Sequence, residues 1–91
     1  MEKIIHFSDK DNLATSLTHL VPGDVITVGG ETITVLEDIP QFHKVSLADI
    51  PAGGDVYKYG EIIGKATKDI RKGNLAHVHN IESMRGRGDK A

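Results

Sequence analysis

Three times in 91 residues the chain repeats one local pattern: an aliphatic residue, a short turn that includes Gly, then a strand-forming residue. It occurs as Leu20-Val21-Pro22-Gly23-Asp24-Val25, as Ile50-Pro51-Ala52-Gly53-Gly54-Asp55-Val56, and as Ile70-Arg71-Lys72-Gly73-Asn74-Leu75. Gly and Pro at such points favour tight reversals. Between reversals so closely placed only short strands fit. The spacing is too irregular for a stacked solenoid, so the pattern predicts a compact β domain with tight corners.

The segments between the corners agree. Ile4 to Phe7 reads as a first strand. Val25–Val28 and Thr32–Leu36 form a hairpin about Gly29-Gly30-Glu31, and Val56–Tyr59 with Ile62–Ala66 a second about Gly60-Glu61. His43–Leu47 alternates polar and apolar residues, and Leu75–Ile81 reads as the last strand. One stretch breaks the β pattern. Leu13, Ala14, Leu17, Leu20 and Val21 recur at helical spacing behind Ser8 and Asp11, which resemble a capping box. This predicts one short α-helix of about 12 residues, ended by Pro22-Gly23. The expected fold class is therefore mainly β with one helix. A domain over residues 1–82 is followed by a Gly- and Arg-rich tail over 83–91.

Composition removes several functions. There is no cysteine, hence no disulfide, thiolate metal site or thiol nucleophile. A net charge of −2 gives no general attraction for nucleic acid. Apolar runs are too short to span a membrane, no leader pattern opens the sequence, and the cytoplasm is the expected location. A 91-residue fold buries a small core, which suits an interaction module or a subunit completed by a partner.

Chemistry-bearing residues concentrate in the second half. On a strand, His77 and His79 would share one face, as acid and base or as two metal ligands, with Asn80 as an amide donor. His43-Lys44 pairs a proton carrier with a carboxylate binder, and Lys58, near a hairpin tip, can reach an anion. Arg85 and Arg87 could clamp a carboxylate from a flexible arm. The same residues also suit solvated strand faces and a solubilising tail. His6 and His19 read as structural.

Four ordered segments resemble the N-terminal SAF-type domain of altronate and galactarate dehydratases. They are Asp11–Leu17, His43–Ile50, Lys58–Ala66 and His77–Asn80. Phe42 stands where that pattern has Gly before the His-Lys pair. The resemblance implies a β-clip fold of bent hairpins. It also implies the separate small subunit of a hydro-lyase or related sulfo-lyase, inactive alone, which completes the active site of a large catalytic subunit acting on a hydroxy acid. His77 and His79 would be the catalytic residues or ligands of a divalent metal such as iron(II). His43, Lys44, Lys58, Asn80, Arg85 and Arg87 would bind substrate. Two other readings remain open: a binding module for an acidic sugar or protein without catalysis, and a metal carrier. Unpaired β edges would allow self-association.

Overall fold

Positive φ angles mark the places where this chain reverses, and they define the architecture. The computed structural model describes residues 3–6, 8–77 and 79–83. Nine strands follow in order: β1 (Ile4–Ile5), β2 (Leu13–Ser16), β3 (Val25–Val28), β4 (Glu31–Thr34), β5 (Lys44–Ser46), β6 (Asp55–Lys58), β7 (Glu61–Ala66), β8 (Leu75–Ala76) and β9 (Ile81–Ser83). They form an antiparallel sheet of order β1-β2-β5-β8, a β3-β4 ribbon and a β6-β7-β9 sheet. The hairpin tips carry paired positive φ angles, Gly29 with Gly30 and Tyr59 with Gly60. Two consecutive left-handed residues make the tight turn whose twist matches a two-residue hairpin.

The three predicted corners are present, and among the described residues a fourth of the same kind joins them. Each closes a bond from the fourth turn residue to the first: Asp24 N to Val21 O, His43 N to Pro40 O, Gly54 N to Pro51 O, and Asn74 N to Arg71 O. The third residue has positive φ at 95° (Gly23), 68° (Phe42), 86° (Gly53) and 96° (Gly73), as a type II turn requires. The second corner was hidden in the sequence because a phenylalanine takes the glycine position. A side chain held there costs about 1–2 kcal/mol.

Every corner docks in the same way. Its third residue donates to a carbonyl on another segment, and its fourth residue accepts from that same partner. The partners are Val35 for the first corner, Ser16 for the second, Ala66 for the third and Ser46 for the fourth. Leu20 pairs with Ile39, and Ile50 with Ile70, as isolated bridges that join the corners two by two.

These bonds reveal a repeat of 30 residues: Ser16 and Ser46, Leu20 and Ile50, Gly23 and Gly53, Gly30 and Gly60, Glu31 and Glu61 occupy matching places. Strand β2 pairs antiparallel with β5, Leu13 opposite Ser46 and Ala14 opposite Val45. That register places an approximate two-fold axis between β2 and β5. The core divides accordingly. One cluster holds Leu20, Ile26, Ile33, Val35 and Ile39, joined by Val45 and Leu47. The other holds Ile50, Val56, Ala66 and Ile70, joined by Leu13 and Ala76.

The predicted helix is absent; no helix occurs among the described residues. The segment forms β2 instead. Leu13 is buried in one cluster and Ala14 in the other. A strand buried on both faces loses its period-two pattern. With Leu20 arriving at the next corner, its apolar positions imitate a helical stripe. Asp11 is no helix cap. Its carboxylate accepts from Tyr59 N at 2.9 Å and Gly60 N at 2.7 Å, fixing the β6–β7 tip. The expected last strand is also two strands, β8 and β9, divided by a turn. Phe7, Val78 and residues 84–91 lie outside the described residues, and with them Arg85 and Arg87.

Candidate functional site

Strand β5 brings the candidate residues together. It pairs with β8 so that Lys44 faces Ala76 and Val45 faces Leu75. One step further along the same register, His43 stands opposite His77, and their rings lie 5.0 Å apart, tilted by 47°. The sequence pattern matched His77 with His79; the fold matches it with His43. A groove of about 360 Å³ opens here, lined by Lys44, Ile63, Ala76, His77, Ile81 and Ser83. A larger hollow of about 490 Å³ lies between the third and fourth corners and contains none of the candidate residues.

The positions of these side chains have local causes. The second corner places His43 directly after its turn, and the buried Ser16 Oγ lies 2.8 Å from both Pro40 O and His43 O. His43 Nδ1 is 3.2 Å from the Gln41 carbonyl. A carbonyl only accepts, so the neutral ring carries its proton on Nδ1 and its lone pair on Nε2. Beyond Ala76, Asn80 holds the turn. Its Oδ1 accepts from His77 N at 2.9 Å, and its Nδ2 donates to Leu75 O at 2.8 Å. Asn80 is only 4% exposed, so its amide acts within the turn. His79 is exposed on that turn.

Among the described residues Lys58 is the largest fully buried side chain, at 1% exposure. Its ammonium sits 4.4 Å from the centroid of the Tyr59 ring, an arrangement in which the ring quadrupole attracts the cation. Burial holds its pKa below the ordinary lysine range; Asp11 opposes that shift and Lys44 adds to it. Lys44 itself lines the groove together with His77. Lys44 and His77 on the groove, with the His43 ring beside His77, make a basic edge that suits an anion.

The same residues do not make a metal centre by themselves. Among the described residues no three His, Asp or Glu side chains converge to hold an ion. Two imidazoles bordered by lysines are a poor cation site.

Fold and site together define a small, two-fold, all-β domain that presents a basic, histidine-bearing face. The sequence model of the altronate/galactarate dehydratase SAF domain matches residues 2–84, and the chain belongs to that family. It is 41% identical to altronate dehydratase of Escherichia coli (strain K12) over 73 residues, 80% of this chain and 15% of that enzyme. It is 34% identical to altronate dehydratase of Bacillus subtilis (strain 168) over 83 residues, 91% of this chain and 17% of that enzyme. Over 53 residues it is 43% identical to (2R)-sulfolactate sulfo-lyase subunit alpha of Paracoccus pantotrophus, 58% of this chain and 79% of that subunit. The chain thus spans about one sixth of the dehydratases and most of the sulfo-lyase subunit.

Proposed function

We propose that this chain is the small subunit of a hydroxy-acid lyase, completing the active site of a separate, large dehydratase-type chain in the cytoplasm. The observation that carries the proposal is the His43–His77 pair with Lys44 on the adjoining groove. Elimination from a hydroxy acid needs a base for the proton α to the carboxylate, an acid for the departing β group, and positive charge for the enediolate between. His43, with Nε2 free to accept, suits the base. His77 suits the acid, giving its proton as hydroxyl leaves as water; a sulfite leaving group departs without that proton. The enol left behind becomes a 2-keto acid.

Lys44 and Lys58 hold the substrate carboxylate, and Arg85 and Arg87, outside the described residues, add to its binding. Asn80 serves substrate binding by holding the His77 turn, and His79 supports proton exchange at its rim. Where a divalent metal such as iron(II) takes part, most of its ligands come from the large chain.

The test is reconstitution with the dehydratase-like chain encoded nearest this gene, assayed for 2-keto acid from a panel of sugar acids and sulfolactate. His77→Ala and His43→Ala are expected to lower kcat by a factor on the order of 10² to 10⁴. Full turnover by the large chain alone rejects the proposal. Binding of a sugar acid by the isolated chain, with that result, favours a non-catalytic module.

A further inference from the structure

Two aromatic residues occupy backbone positions that the fold elsewhere gives to glycine. Phe42 has φ 68° at the second corner, where the other three corners place Gly23, Gly53 and Gly73. Tyr59 has φ 57° at the β6–β7 tip, where the matching β3–β4 tip places Gly29. Among the described residues these are the only non-glycines with positive φ. Both are exposed, Phe42 at 65% and Tyr59 at 62%, so burial within this chain does little to offset the strain. Each directly adjoins a site residue, Phe42 beside His43 and Tyr59 beside Lys58. Strain persists where it serves binding or chemistry. Large, rigid, exposed aromatics are the side chains that anchor protein interfaces.

We infer that Phe42 and Tyr59 dock this chain onto the large catalytic chain, their rings entering apolar sockets that border His43 and Lys58. This inference rests on the small-subunit reading above. The occupant is a protein because a hydroxy acid offers almost no apolar surface to two aromatic rings. In the altronate dehydratases that share this domain, more than four fifths of the chain lies outside the matched segment, which supplies a body large enough to carry both sockets. Docking beside His43 would shield the His43–His77 pair from water and strengthen its hold on an anion.

The experiment uses the full chain with Phe42→Gly, Phe42→Leu and Tyr59→Gly. Urea unfolding of each chain alone is set beside its Kd for the dehydratase-like chain encoded nearest this gene. Phe42→Gly is expected to unfold at the same or higher urea while its Kd weakens on the order of 30-fold. Tyr59→Gly should weaken Kd similarly, and Phe42→Leu less. At saturating chain, kcat of the two Phe42 variants should persist. A Kd within threefold of the parent for folded Phe42→Gly and Tyr59→Gly overturns the inference. An unchanged Kd with a raised KM overturns it too, and assigns the rings to substrate. If the parent chain itself fails to bind, the small-subunit reading falls and the inference with it.

Discussion

Alanine at Gly73 and alanine at Gly23 form a matched pair that isolates one cause of destabilisation. The two glycines share a conformation, with φ 96° and 95°, so the left-handed strain is the same. That strain is about 1–2 kcal/mol, offset by about 0.4–1 kcal/mol from the stiffer unfolded chain. Around Gly23 an added Cβ meets nothing within 4 Å, so Gly23→Ala should cost about 1 kcal/mol. At Gly73 the same Cβ would lie 2.2 Å from Thr34 O, against ordinary contact from 3.4 Å. The obstacle is backbone, and the fourth corner must withdraw. Withdrawal stretches Gly73 N to Ser46 O at 2.9 Å and Leu36 N to Gly73 O at 3.0 Å, each worth about 1 kcal/mol and more if left unsatisfied. Gly73→Ala should therefore cost roughly 3–5 kcal/mol, a large share of the roughly 5–14 kcal/mol typical for this length. Urea unfolding of both variants, fitted with a common m-value, reads the difference. If the two midpoints agree within the equivalent of about 1 kcal/mol, the corner does not press on Thr34 and the docking scheme is wrong.

Two further outcomes follow from single side chains. Asn80→Ala leaves His77 N and Leu75 O without their amide partner and should cost about 2–4 kcal/mol; proton NMR should also show the His43 and His77 rings moving apart, whereas rings that stay close mean the turn holds without Asn80. Lys58 is held below its ordinary pKa by burial. In the interval between the lowered and the ordinary value the unfolded chain binds more protons, so stability should rise with pH there. Lys58→Met should abolish that alkaline rise in urea titrations, and a parent chain with no rise would show that burial does not penalise the ammonium.

The corners were legible in the sequence because Gly and Pro announce reversals by their own backbone limits. Hairpins at Gly29-Gly30 and at Gly60 were legible for the same reason. The helix was misread because β2 has no solvent face; Leu13 and Ala14 enter different clusters, and two buried faces erase alternation. Phe42 concealed the second corner, since no local rule expects phenylalanine at positive φ. His43, Lys44, Lys58 and His77 could each be nominated from residue type. The pairing of His43 with His77 could not, because it depends on the β5–β8 register across 34 positions. Asn80 looked like a substrate donor; its burial and both of its bonds belong to the turn.

The approximate two-fold also bears on what each half must do. A single unit of about thirty residues is too small to bury a core by itself. As a separate peptide it would need a second copy, and the β2–β5 pairing is what two copies would form across their dyad. Joining the copies in one chain removes the requirement that both remain alike. The places of His43, Lys44 and Lys58 are held in the first half by Leu13, Ala14 and Val28. At these matching places one half carries apolar side chains that suit a scaffold, while the other carries the histidine and lysines.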